Sequence, residues 1–323
     1  MHVSEVRSAG GPEVLNYIER PDPRPGEGQL FVETAAIGVN FIDIYRREGR
    51  YPLPAPGVPG EEGSGRVIAI GSGVTGFAPG DQIAWTTVLG SYATRVIVPA
   101  EKAILVPKGI DMQTAAAALV QGMTAHYLVH SSYKVQRGDT LLVHAAAGGV
   151  GLLLIQMIKA LGGKVIGTVS SAEKEKTARE YGADEIIRSD QVKDLAAEVR
   201  RLTDGTGVEA VYDGVGAATF EASIASVRMR GTLVLFGGAS GAVPPFDVMK
   251  LAWAGSLTLT RPYLEHFRAT REEFLWRAND VFRAIPDRKL RITIGGTYPL
   301  EKAGDAHRDL AGRRTMGKLL LVP

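Results

Sequence analysis

The 323 residues predict an α/β protein of two domains: a small, largely antiparallel β domain and a doubly wound parallel-sheet domain. Three observations carry that prediction. The chain is too long for one ordinary core. Residues 1–120 read mostly as short apolar strands divided by Gly/Pro turns. From about residue 121, strands alternate with helices, which is the pattern of a parallel sheet with helices on both faces.

The strand candidates of the first part are QLFVETAAIGV, GSGRVIAIGSGV, DQIAW, SYATRVIVP and AILVP. GSGVTGFAPGD has the glycine and proline spacing of tight loops. The second part opens with LLVHAAAGGVG, a buried strand entering a turn, and continues as LLLIQMIKALG, a helix that stops at Gly162. There follow a strand (KVIGTVS), a helix (AEKEKTAREYG), a strand (EIIR), a helix (DLAAEVRRLTDG), a strand (VEAVYDGVG), a helix (TFEASIASVR) and a strand (GTLVLFGG). GSLTLT reads as a further strand at the sheet edge. The segment 264–323 holds one long helix (TREEFLWRANDVFRAI) and the strands ITIGGTYP and KLLLVP, and is expected to return to the domain formed by 1–120, leaving 121–263 as the parallel-sheet domain.

Composition narrows the function. Apolar residues make up 45% and charged residues 22%, as in a globular protein. A net charge of +2 with dispersed Lys and Arg gives no nucleic-acid footprint. The chain has no cysteine, which excludes disulfides, thiolate metal sites, Fe–S clusters and a cysteine nucleophile. No apolar run reaches the roughly 18 residues of a membrane-spanning helix, and the start lacks a signal-peptide stretch. These features read as a cytoplasmic protein. Ser, His and Asp are present, but no G-x-S-x-G elbow supports a hydrolase.

Ala146-Ala147-Gly148-Gly149-Val150-Gly151 lies between an apolar strand and an apolar helix, with G-x-G-x-x-G spacing and Ala at the first position. Gly148 lets backbone approach a pyrophosphate, Gly151 lets helix pack on strand, and the helix N-terminus offers free amides to the phosphates. About 20 residues on, where sites for NAD place a carboxylate on the ribose, this chain has Ser170 and Ser171, with Lys174 just beyond and Arg188 after the next strand. A carboxylate would repel a 2′-phosphate; hydroxyls and cations attract it. The pattern therefore favours NADPH over NADH, against the plainer reading of Lys174 and Arg188 as solvated charge.

Together, VNFIDIYRREGRYP (39–52), PGEEGSGRV (59–67), GMTAHYL (122–128), HAAAGGVG (144–151), VYDGVG (211–216), FGGASGAV (236–243), TRPYL (260–264) and RRTMGKLLL (313–321) make the chain resemble the zinc-independent quinone oxidoreductases of the medium-chain dehydrogenase/reductase superfamily over nearly its whole length. The resemblance implies a GroES-like β domain plus a Rossmann domain, an active site in the cleft between them, and a homodimer joined through Rossmann edge strands, here GSLTLT. It implies NADPH contacts near Asn40, Gln121, Thr124, Gly148, Gly149, Val150, Ser170, Lys174, Arg188, Val215, Phe236 and Arg313. Arg188 departs from the pattern, since several relatives carry Tyr there.

Alcohol dehydrogenases of the superfamily hold catalytic zinc with Cys, His and Cys; the corresponding positions here are Asn40, Glu61 and Gln121. Two neutral amides and one carboxylate hold Zn²⁺ poorly, the four-cysteine structural lobe is missing, and no metal is expected. His144, in the buried strand, reads as a satisfied core residue. Without a Lewis acid to make an alkoxide accessible, the acceptor should already be electron-poor: a quinone or another activated carbonyl. Asn40, Tyr45 and Tyr51, all in segment 39–52, are the candidate donors to the acceptor oxygen. An unperturbed Tyr, with a pKa of about 10, is a neutral donor near neutral pH; the competing reading of each Tyr is an aromatic wall, with water delivering the proton. Two other functions stay open: an NADPH-dependent enone or enoyl-thioester reductase, and a weakly catalytic NADPH-binding sensor.

Overall fold

The computed structural model describes residues 1–323, which divide into two compact units: Met1–Met123 with Thr270–Pro323, and Thr124–Ala269.

The second unit is built on a six-stranded sheet in the spatial order Glu185–Arg188, Lys164–Val169, Thr140–Val143, Val208–Asp213, Val227–Leu235, Thr258–Thr260, every pair parallel. Chain order runs outward in both directions from Thr140–Val143. The sheet therefore reverses between that strand and Val208–Asp213, the switch point at which α/β sheets bind ligands. The strands are near-continuous apolar runs because helices cover both faces. Leu142, Ile166, Val211 and Leu233 form a core with Phe220, Ile224 and Val199 from the helices. The first crossover helix, Gly149–Ala160, buries Leu152, Leu153, Leu154, Ile155 and Ile158. It ends where Gly162 takes φ +84, a left-handed conformation that costs glycine least.

The first unit is a seven-stranded sheet ordered Ile294–Pro299, Lys318–Val322, Gln29–Val39, Glu62–Ile70, Gln82–Thr86, Ala103–Leu105, with Arg95–Pro99 also paired to Gln29–Val39. Its pairings are antiparallel except for the two strands from the end of the chain, which run parallel to each other. The 11-residue strand Gln29–Val39 organises this sheet: Gln29–Glu33 pairs with Arg95–Pro99, and Ile37–Val39 pairs with Leu319–Leu321.

Several elements differ from the sequence reading. The helix expected over TFEASIASVR ends at Ser226, and Val227 already belongs to the next strand, where it pairs with Val208. The reading omitted the hairpin His2–Val6/Leu15–Glu19 and the helices Phe41–Arg47, Met112–Tyr127 and Ala303–Ala311. The 112–127 helix lies across the proposed texture change at 121. Its alanines serve as spacers: Ala116 and Ala117 pack directly on Ala36 and Leu320. Periodicity of large apolar residues does not register such a helix, although Asp111 marks its start by accepting from the Thr114 amide at 2.8 Å.

Candidate active site

The glycine turn sits at the C-terminal end of Thr140–Val143. Gly148 is the N-cap of helix Gly149–Ala160, with no side-chain cap bond, so the first-turn amides have no carbonyl partner within the helix. A Cβ at Gly151 would meet the carbonyl oxygens of Ala145 and Ala146 at 2.5 and 2.7 Å, and one at Gly148 would lie 3.1 Å from that of Ala145. Only glycine lets the helix approach this closely, and the amides it leaves open fit a diphosphate.

At the end of Lys164–Val169, Ser171 caps the next helix by accepting from the Lys174 amide, and the Lys174 ammonium reaches the Ser170 hydroxyl at 3.4 Å. Strand pairing sets Arg188 opposite Val169, so its guanidinium belongs to the same corner. It is engaged there by Asp190 at 2.7 and 2.8 Å, with Glu175 at 3.7 Å. The bond to Asp190 raises Arg188 above its ordinary pKa and lowers Asp190 below its own. Arg188 is partly covered and Asp190 exposed, and ion pairs at the surface hold weakly.

Val215 and Phe236 lie just past the next two strands. The Phe236 amide donates to the Asp213 carbonyl at 2.8 Å, and the ring end of Phe236 would lie 2.8 Å from a Cβ at Gly214. The loops carrying Val215 and Phe236 are therefore in contact.

In the first unit, the buried Asn40 amide donates to Glu62 at 2.8 Å and accepts from Lys318 at 2.7 Å. Lys318 also forms a fully buried ion pair with Glu62, whose other oxygen accepts from the Val120 amide at 2.8 Å. Glu61 is held by Arg46 at 2.5 and 2.9 Å. Tyr45 is buried on helix Phe41–Arg47, stacked on Tyr51 at 5.9 Å, with the Arg50 guanidinium 4.1 Å from its ring. Tyr51 lines a cavity of about 200 Å³ with Arg46, Leu53 and Pro54. Gln121 and Thr124, three residues apart on helix Met112–Tyr127, share a face. Arg313 is exposed in the loop before Lys318–Val322.

Residues 26–108 match the alcohol dehydrogenase GroES-like domain, and residues 149–277 match the zinc-binding dehydrogenase family. The chain is similar to the quinone oxidoreductase of Pseudomonas aeruginosa, with 45% identity covering 97% of both proteins. It is 39% identical to a 2-haloacrylate reductase of a Burkholderia species, over 98% of each chain. The solved Escherichia coli quinone oxidoreductase, complexed with NADPH, superposes with a TM-score of 0.98 at 39% identity, over 100% of both chains. This chain belongs to the quinone oxidoreductase family. The family's GroES-like and Rossmann-like domains are the antiparallel and parallel sheets described above, within the medium-chain dehydrogenase/reductase superfamily.

The zinc named in one domain family does not fit this quinone oxidoreductase family member. Asn40 offers an amide oxygen already bonded to an ammonium, and Glu61 is bound to a guanidinium. A dication at these donors would face Lys318 and displace Arg46, with no thiolate or imidazole in compensation.

Sequence reasoning missed the Lys318–Glu62 pair that holds Asn40. The one signal was a lysine opening an otherwise apolar strand, KLLLV. It also missed a buried chain behind Asn40. Asp43 Oδ2 accepts from the Asn40 backbone N–H at 2.8 Å and from the Tyr92 hydroxyl at 3.1 Å. Tyr92 in turn meets His307 Nε2 at 2.8 Å, and Arg47 meets His307 Nδ1 at 3.3 Å. Arg47 only donates, so Nδ1 accepts and Nε2 carries the proton. Burial pushes His307 down to about 3, keeping it neutral. Burial, helped by the Glu61 charge, pushes Asp43 up to about 7.

That shift predicts a pH signature. A carboxyl whose folded pKa is raised contributes stability below its ordinary range, and the contribution is lost as pH rises through about 7. The melting temperature of wild type minus that of Asp43→Asn should therefore fall between about pH 4 and about pH 8. A difference independent of pH contradicts the assignment.

Proposed function

We propose that this protein is an NADPH-dependent quinone reductase that works without zinc. The observation that carries the reading is one chain combining a dinucleotide turn, a second-strand end made of Ser170 and Lys174, and zinc positions already taken by Lys318 and Arg46. When bound, NADPH supplies the hydride. The first-turn amides at Gly149 and Val150 hold the diphosphate; Ser170, Lys174 and Arg188 hold the 2′-phosphate. Gln121, Thr124, Val215, Phe236 and Arg313 complete the cofactor contacts. Asn40 has one amide proton beyond the bond to Glu62, and Tyr51 has its hydroxyl. Each can donate to the acceptor oxygen as negative charge develops there. Tyr45, whose ring is in contact with Arg50 and Tyr51, is better placed as an aromatic wall. A proton from solvent or Tyr51 completes the hydroquinone.

The purified protein should oxidise NADPH with soluble quinones, without added metal or flavin. Absence of quinone-stimulated NADPH loss across a broad panel sinks the reading. The likeness to a 2-haloacrylate reductase supports a second one, reduction of electron-poor alkenes conjugated to a carbonyl. Relative kcat/KM for quinones and enals decides between them.

Lys174→Ala should weaken NADPH far more than NADH; equal losses contradict a 2′-phosphate role. Tyr51→Phe should keep cofactor affinity and lower turnover, whereas unchanged turnover makes Tyr51 a wall as well. We further propose a homodimer across the Thr258–Thr260 edge. That strand is paired on one side only, and beside it Trp253 and Met229 are 74% and 71% exposed. Trp253→Glu should shift the sedimentation coefficient from dimer to monomer; a wild-type monomer refutes the proposal.

A further inference from the structure

Behind the glycine turn runs a buried polar chain that no cofactor contact explains. Asp213, His144, Ser223 and Thr168 are all nine-tenths or more buried. Asp213 accepts from the Val215 and Gly216 amides at 2.8 and 3.0 Å, from the Thr219 hydroxyl at 2.8 Å, and from the Ser223 hydroxyl at 2.7 Å. Ser223 meets His144 Nε2 at 2.9 Å, His144 Nδ1 meets the Thr168 hydroxyl at 3.1 Å, and Thr168 accepts from the Ala145 amide at 3.3 Å.

The donors run in one direction. A carboxylate only accepts, so Ser223 gives its proton to Asp213 and must accept from His144. His144 then carries its proton on Nε2, and Nδ1 accepts from Thr168. Burial pushes the imidazole down and keeps it neutral, as this arrangement needs. The chain thus joins the ends of three neighbouring strands: Thr168 two residues before Ser170, His144 at the foot of the glycine turn, and Asp213 at the root of the Val215 loop.

We propose that His144, Ser223 and Asp213 form a positioning relay that locks the glycine turn and the Val215 loop in their cofactor-binding arrangement. None of the three is itself a cofactor contact. The proposal rests on the NADPH reading of the turn. Its geometric content is that two loops from non-adjacent parts of the chain are held by one set of hydrogen bonds, with Ser223 as the link. Removing that link frees the loops relative to each other and leaves the sheet beneath them in place.

The test is NADPH titration followed by fluorescence, together with thermal melting of the free protein, for Ser223→Ala and a matched control, Ser226→Ala. Ser226 is buried on the same helix, and its hydroxyl bonds only within that helix, to the Ala222 carbonyl at 2.7 Å. Ser223→Ala should raise Kd for NADPH about tenfold, because the freed loops must be ordered again on binding. KM for NADPH should rise in step while turnover at saturating NADPH is retained. Ser226→Ala should lower the melting temperature comparably and leave Kd unchanged. An unchanged Kd for Ser223→Ala, or equal rises in both variants, overturns the relay. If Ser223→Ala does not fold, His144→Phe removes the imidazole end of the same link and is read the same way. A wild-type protein that does not bind NADPH would refute the underlying cofactor reading instead.

Discussion

A carboxylate without water must collect its hydrogen bonds from the protein, and Asp213 does so at the point where the parallel sheet reverses direction. An isolated buried charge would cost several kcal/mol even after relaxation. Asp213 offsets that cost with two backbone amides and two hydroxyls, which come from the loop and helix that follow its own strand. Its demand for donors shapes the Val215 loop. Through Ser223 and His144 the same demand reaches the glycine turn, so the geometry at the ends of three strands follows from satisfying one group.

The first unit solves the same problem with an ion pair. Glu62 and Lys318 are wholly buried, and breaking such a pair by removing one partner typically costs about 3–5 kcal/mol. The pair is completed by Asn40 and the Val120 amide, and so joins four segments far apart in sequence. The comparison with Arg188 is instructive. Its pairing with Asp190 lies at the surface and holds weakly, whereas Lys318 is wholly buried with its partners. Lys318 thus sets an ammonium against the Asn40 amide oxygen, where it is a structural cation.

Legibility in the sequence followed the range of the interactions. The glycine turn could be read because Gly148 and Gly151 answer a local steric need between a strand and the helix that follows it. The parallel character of the second sheet was implied by the alternation of elements, because parallel strands need crossovers. Helix Met112–Tyr127 escaped because its alanines are chosen for close approach to Ala36 and Leu320, a partner-dependent reason that leaves no large-residue period. The end of helix Phe220–Ser226 was misplaced because Val227 pairs with Val208, a contact across the sheet that overrides local helical preference.

By itself, the sequence determined the two-domain α/β class, the glycine turn, hydroxyls and an ammonium rather than a carboxylate at Ser170, Ser171 and Lys174, and the absence of any cysteine thiolate. All of these depend on residue type within a short window. Only the tertiary structure decided that Asn40 is held by Lys318 and that His144 links Thr168 to Ser223. The physical reason is that a buried polar group is defined by its partners. Those partners come from strands and helices tens to hundreds of residues away, which only folding brings within hydrogen-bonding distance.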